Sequence, residues 1–442
     1  LHYCMKRILI PLCLALLFSV HLSAQESIII SGRIIDKETK QSLSYVQIIL
    51  LNKQIAILSD SVGQFNSQVF DPIHGDSILF SCLGYEKITC DISDFIDNGE
   101  RLISLTPKKY ELNEVVISAR RPDPLKLMKR AVQVYQKERR KDPHIAMGHY
   151  REKAKIDGSY VMYTESIGYA VYNGNDHPQA GYSFFCENTR RSDRQEKWLN
   201  LARYHLDGKQ MSDVSSGNSF SLSRLRRLEQ YGPLSKKYYR SYTFRLDSIY
   251  FENNQKLYSI HFEKKNQTGD IHIYADDYEI KILNLSSKAI RSNRFQMELN
   301  QQIIIRFNYF NHEPFIHSVH VYQSGPGIEY WNEYKVLAQR YDDFKLDHGE
   351  IWSMIHYSML PFVEYKPESW ITYHIRPDED YDKIEEQLGS LEKNLQEQYI
   401  ANSGNWWLQD YQNFWQINDD LYDLQQEMNK ASILIESLKK FF

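Results

Sequence analysis

The sequence predicts a mainly β protein with some helix, and three observations carry that reading. Seven short apolar segments lie between Ser27 and Leu105, separated by turn residues. Strand-like alternation resumes at Gly148 and continues to Gln323, and after residue 378 the apolar spacing changes to three and four. The expected parts are an N-terminal seven-stranded β-sandwich, a curved antiparallel sheet forming an open half-barrel with one associated helix, and a C-terminal helical hairpin.

Residues 1–24 read as a signal peptide. Lys6 and Arg7 precede an apolar run from Ile8 to Val20, and small Ser23 and Ala24 before polar Gln25 favour cleavage after Ala24. Leu1 to Cys4 stand upstream of the first methionine and reflect the choice of start site. Cys13 lies inside the apolar run and not at its end, which argues against a lipid anchor. Taking residues 1–24 from the 442 leaves 418, with 51 basic against 57 acidic side chains. That balance points away from a nucleic-acid partner. No later segment has the length and apolarity of a membrane helix, so no transmembrane helix is expected after cleavage.

The first mature unit, residues 27–106, contains Ser27 to Ile35, Tyr45 to Leu51, Gln54 to Ser59, Gln64 to Phe70, Asp76 to Cys82, Tyr85 to Ile92 and Arg101 to Leu105 as strands. Asp60 to Gly63 is a tight turn before Phe65, and Asp71, Pro72 and Gly75 break the next gap. Cys82, Cys90 and Cys186 survive processing. Pairing around Leu83 and Gly84 puts Cys90 opposite about residue 77, ~17 Å along the strand from Cys82, too far for a bridge. All three are read as small buried side chains.

The order Gly32-Arg33-Ile34-Ile35-Asp36, Thr39, Leu43, Ser59 to Phe65 and Leu83-Gly84-Tyr85 resembles the carboxypeptidase regulatory-like domain, a transthyretin-like β-sandwich of the Gram-negative cell envelope. The resemblance spans about 80 residues and implies an accessory module without catalysis of its own, of the kind that precedes TonB-dependent transporters. Lys40, Ser42 and Ser44 stand where the family often has glycine and proline. A left-handed Lys40 costs ~1 kcal/mol relative to glycine. Glu111 to Ala119, within a linker at 107–123, resembles the acidic-apolar segment that leads from such modules to a transporter plug. Too little chain remains for a transporter barrel, so the segment is either a strand leaving the sandwich or a partner-binding strand.

Residues 124–377 form the second unit. Pro124 to Lys141 reads as a helix with Leu127, Ala131, Val134 and Tyr135 on one face. Arg245 to Tyr250, Lys256 to Lys264, Gly269 to Ala275, Ile280 to Ser286, Ile303 to Tyr309 and Phe315 to Gln323 read as a meander, similar in pattern to periplasmic lipoprotein-carrier folds. In residues 378–442, Tyr381 to Leu395 and Ile417 to Phe442 are amphipathic helices. The break at Ala401 to Trp407 lets them fold back, packed on each other or on the sheet.

Candidate chemistry is sparse. His149-x-x-Glu152 has metal-ligand spacing, with His261 and His272 as candidate further ligands, and His317-x-x-His320 repeats the theme. On a strand, positions i and i+3 face opposite sides, which argues against both pairs. Asp276 and Asp277 are adjacent and read as a solvated hairpin tip. No phosphate loop, nucleophile elbow or paired CxxC is present. The expectation is therefore no catalytic, cofactor-binding or metal site and no cofactor. The protein is expected to be a non-catalytic exported binding or assembly module, in the periplasm or on the periplasmic face of the outer membrane, partnered by an outer-membrane transporter or a surface glycan system. The alternative is a periplasmic carrier of an apolar ligand, which requires a concave cavity of several hundred Å³. A zinc hydrolase is the third reading.

Overall fold

The computed structural model describes residues 27–60, 62–70, 75–82, 84–95, 100–108, 121–172, 174, 182–193, 195, 197, 220–252, 255–291, 298–341, 363, 365–373, 375, 377–402 and 421–439. The signal peptide, the segment Glu111 to Ala119 and most of the Ala401 to Trp407 break lie outside these residues.

The N-terminal strands are β1 (Ser27–Asp36), β2 (Gln47–Leu50), β3 (Ile55–Leu58), β4 (Gln64–Phe70), β5 (Ser77–Ser81), β6 (Ile88–Asp91) and β7 (Arg101–Leu105), the seven expected. One layer runs β4-β1-β7 and the other β3-β2-β5-β6. Ile30, Ile34, Val46, Ile48, Phe65, Ile78 and Phe80 fill the space between them. Cys90 stands opposite Ile78, one residue from the expected register, and Cys82, Cys90 and Cys186 form no disulfide with one another and are of intermediate exposure. The turn after β1 does take the strained form, with Lys40 at φ 60°. Asp36 holds that turn together. Its Oδ1 accepts from the backbone N–H of Glu38 at 2.7 Å and Thr39 at 2.8 Å, and its Oδ2 accepts from the Tyr85 hydroxyl at 2.8 Å.

Ten longer strands follow: β8 (His144–Ile156), β9 (Ser159–Tyr172), β10 (Tyr182–Arg191), β11 (Thr243–Glu252), β12 (Gln255–Lys264), β13 (Gln267–Tyr274), β14 (Ile280–Arg291), β15 (Glu298–Phe310), β16 (Glu313–Gly325) and β17 (Ile328–Arg340). They pair antiparallel in the order β11-β12-β13-β14-β15-β16-β17-β8-β9-β10. The sheet curls around a concave apolar face, with Ile260, Phe262, Ile271, Leu283, Ile305, Val319 and Val336 turned inward.

Two helices occupy that face. In α1 (Pro124–Glu138), Asp123 caps the N-terminus by accepting from the N–H of Leu125 at 3.0 Å, and Pro124 sits where a missing N–H costs nothing. Its buried stripe is Leu127, Met128, Ala131, Val132 and Tyr135; Val134 is only half-buried, so the apolar face is rotated from the expected one. The second helix, α2 (Phe220–Tyr231), adds Leu225 and Leu228. A polar clasp joins the two: Glu229 accepts from the Tyr135 hydroxyl at 2.7 Å and from Arg139 at 2.8 Å, and Gln136 donates to the Leu234 carbonyl at 2.8 Å.

The sandwich and the half-barrel share one hydrogen-bonded sheet. Along one edge β17 pairs with β8 from Ile328 to Gln339. Along the other it pairs with β16 up to Lys335, and then with β3 through Ala338–Ile57, Gln339–Ala56 and Arg340–Ile55. The apolar core also crosses this seam, because Ile145, Met147, Tyr169, Val171 and Phe185 pack with the sandwich residues.

The C-terminal helices are α3 (Pro367–Thr372), α4 (Tyr381–Leu388), α5 (Leu395–Asn402) and α6 (Leu421–Lys439). Of the two packing options, the sheet is the surface used. Ile384 and Leu388 of α4 cover Tyr160 and Tyr163 of β9, and Ile435 and Leu438 of α6 join the sandwich core. The expected helix from Tyr381 to Leu395 is cut at Gly389, whose φ of 77° ends α4. Among the described residues no helix is long and apolar enough to cross a membrane.

Gly168 tests the packing of β9 on β10. A Cβ there would stand 1.9 Å from the Phe185 carbonyl oxygen, which belongs to paired backbone and cannot swing away. Gly168→Ala should lower unfolding stability by about 2–3 kcal/mol, read as an earlier urea midpoint with an unchanged slope.

Candidate functional site

The outward face of β8, β9, β10 and β17 has an apolar end under the sandwich and a charged end beside Trp370, Asp378 and Asp380. Alternation along β8 sends Ile145, Met147, His149, Arg151 and Lys153 outward, while Ala146, Tyr150 and Ala154 face the concave side. At the centre of the charged end is Glu165 of β9, whose side chain is 0% exposed. Its Oε1 accepts from His149 Nε2 at 2.7 Å and from Arg151 at 2.5 Å, and its Oε2 accepts from Arg190 at 2.8 Å and Tyr163 at 2.9 Å. Burial alone would raise this carboxyl. The hydrogen bond from His149 and the charges of Arg151 and Arg190 overcome burial and hold it well below the usual carboxylate range. His149 is itself shifted down, chiefly by burial and against the pull of Glu165, to which its Nε2–H donates.

The network reaches into the C-terminal segment. Lys153 donates to Asp378 at 2.7 Å, Arg151 lies 3.6 Å from the same carboxylate, and Tyr160 donates to Asp380. The Trp370 ring lies under the Arg190 guanidinium, 4.0 Å from Cζ to the ring centre, and its Nε1 donates to Asn188 at 3.0 Å. The segment is thereby tied to three strands.

Between this network and the sandwich is a cleft of about 200 Å³. Asp60, Gln64, Asn66 and Ser67 line it from the sandwich, and His149, Arg151, His320, Glu333 and Lys335 from the half-barrel, with Tyr373 beside them. The buried Oδ1 of Asn66 has no hydrogen-bond partner among the described residues. Burial would raise the Glu333 carboxyl too, but His320, 3.4 Å away, and Arg151 hold it down at about 2. Glu165 has no accessible lone pair with which to act as a base. The cleft thus offers fixed donors and acceptors of both signs, an arrangement suited to recognition of polar groups.

The sequence candidates separate in space. His149 and Glu152 do face opposite sides of β8: Glu152 is buried on the concave side, where it accepts from the Tyr150 hydroxyl at 3.0 Å and the Tyr330 hydroxyl at 2.5 Å. His261 and His272 sit on β12 and β13 and join neither. For His317 and His320 the parity argument fails. A bulge breaks the β15–β16 register so that Ile316 and Val319 both face the concave core, leaving His317 and His320 together on the outer face. They have separate tasks there. His317 is pushed down to about 3 by burial and by nearby Lys335, and packs edge-on against Tyr45 at 4.6 Å; His320 serves Glu333. Asp276 is exposed at a hairpin tip and Asp277 accepts from the Glu279 N–H at 3.0 Å, as expected of a solvated turn. Glu165 was not singled out by sequence, since Tyr-Thr-Glu-Ser carries no recognisable spacing signal.

Among the described residues the concave face that a carrier would need open is packed with α1 and α2, and a void of about 40 Å³ lies beside Tyr135, Arg139, Glu229 and Tyr334.

Replacing Glu165 with Gln leaves Arg151 and Arg190 without their shared anion, so the variant should lose about 3–5 kcal/mol of stability at pH 7. A carboxyl lowered in the folded state stabilises above its unfolded value near 4.3 and loses that contribution as pH falls below it. The gap between wild type and variant should therefore be full at pH 5–8 and shrink on acidification, as read by denaturant titrations at several pH values.

Three solved structures are similar over part of the chain. A Vibrio parahaemolyticus domain named for outer-membrane lipoprotein sorting is 10% identical, with 52% of this chain and 97% of that one covered at a TM-score of 0.27. A DUF1329 family protein from Desulfovibrio piger is 8% identical, with 52% and 99% covered and a TM-score of 0.24. A protein of unknown function from Bacteroides fragilis, described by membrane association, is 10% identical, with 72% and 97% covered and a TM-score of 0.16. At such scores the fold rests on the strand pairing above. No curated protein matches the chain. Residues 30–117 match the family described as CarboxypepD_reg-like domain, and the N-terminal sandwich of this chain is a domain of that kind.

Proposed function

We propose that the protein is a non-catalytic, exported envelope protein, a rigid binding or assembly module associated with outer-membrane transport or surface components. The observation that carries this reading is the cleft at the seam of the two units. Its walls come from both, so the joined sheet fixes its shape, and Arg151 and Glu333 in its lining are held by ion-pair partners. The leader-like residues 1–24 and the regulatory-like sandwich support the envelope address. The carrier reading would require α1 and α2 to leave the concave face and expose Leu127, Met128 and Ile305.

A photo-crosslinking residue at Gln64, on the cleft wall, tests the proposal in cells. The expected result is a discrete adduct in the envelope fraction that weakens when Lys335→Glu is added. No adduct, or protein retained in the cytoplasm, overturns it. An apolar fluorophore mixed with the purified protein should show no saturable gain in emission; saturable binding at micromolar concentration would favour the carrier.

A further inference from the structure

Away from the cleft, the last three strands at the β11 end of the sheet bring Asp247, His261 and Asp270 together on the outer face. Their ligand atoms lie within 4.8 Å of one another. Register explains two of them: His261 of β12 is directly opposite Asp270 of β13, and Nδ1 of the imidazole is 2.9 Å from Oδ1 of the carboxylate. The third depends on an irregularity. β11 and β12 lose register between Leu246 and Ser248, so Asp247 has no residue opposite it, and the bulge leaves its carboxylate beside the other two.

We propose that Asp247, His261 and Asp270 form a binding site for a zinc-class divalent cation, with water completing the shell. The donor set decides the class. An imidazole nitrogen with two carboxylate oxygens suits zinc, cobalt or nickel, whereas calcium and magnesium prefer oxygen alone. Ligand atoms on one such ion at ~2.0–2.2 Å stand ~3 Å apart, the separation that His261 and Asp270 already have. Asp247 must close the remaining distance. Its present partner is Arg245 at 2.9 Å, a solvent-exposed pair of the kind that contributes little to stability and is readily given up. Thr268 supplies the orientation: its hydroxyl is 3.1 Å from Nε2 of His261. With the ion on Nδ1, the imidazole carries its hydrogen on Nε2 and donates to Thr268, an outer contact of the kind that fixes a metal-bound histidine.

Tag-free protein titrated with cobalt(II) chloride, followed by visible absorbance and calorimetry, tests the site. One ion per chain should bind saturably and be displaced by zinc. His261→Ala and Asp247→Asn should each weaken binding by about ten- to hundredfold while unfolding at the wild-type temperature, and His312→Ala, a histidine on a distant turn, should bind as wild type. Non-saturating absorbance, or equal affinity in His261→Ala, overturns the proposal. So does magnesium competing as well as zinc.

Discussion

Strand β17 is the constraint on which the rest depends. Its thirteen residues satisfy partners on both edges, and the change of partner from β16 to β3 on one edge is what turns a sandwich and a half-barrel into a single sheet. That change is made available by the bulge in β16, which draws its start away from β17 before Ala338 is reached. Everything at the seam follows: the shared core around Met147 and Phe185, the cleft above His149 and Arg151, and the docking of Leu438 beneath the sandwich.

Glu165 plays the corresponding part for the outer face. A buried carboxylate is costly unless each lone pair is used, and here four donors from three strands use them. Once Arg151 and Arg190 are held by that anion, their remaining surfaces become fixed docking points. Trp370 stacks on one, and Asp378 approaches the other. The same economy limits the chemistry, because a carboxylate that saturated is neither base nor nucleophile.

Local pattern made the sandwich legible. Its seven strands are short and punctuated, and Asp36 and Tyr85 come from two of the stretches that mark the family resemblance and meet at one hydrogen bond. The meander from β11 to β16 was equally visible in alternation, and α1 in its spacing. Partnership was not visible. Nothing in Ile55-Ala56-Ile57 says that the strand pairs with Ala338, and nothing at His317 announces an extra residue that reverses parity. The charged cluster was missed for a related reason. Its members, Glu165, Arg151, Arg190 and Asp378, are scattered over more than two hundred positions and converge only through tertiary pairing. Asp247 joined His261 and Asp270 by the same means, a bulge that alternation cannot foresee.

The β3–β17 seam also has a consequence in time. Ile57 and its partner Ala338 are separated by most of the chain, so during synthesis the sandwich is complete long before the strand that covers its open side. Until then β3 presents bare backbone donors and acceptors and the sandwich core lacks Tyr169, Phe185 and Leu438. Non-local pairing of this kind closes late, and the waiting edge can recruit any other strand it meets. The nascent protein therefore passes through a half-built stage in which its earliest domain is formed but sticky, and only the arrival of β17 ends it.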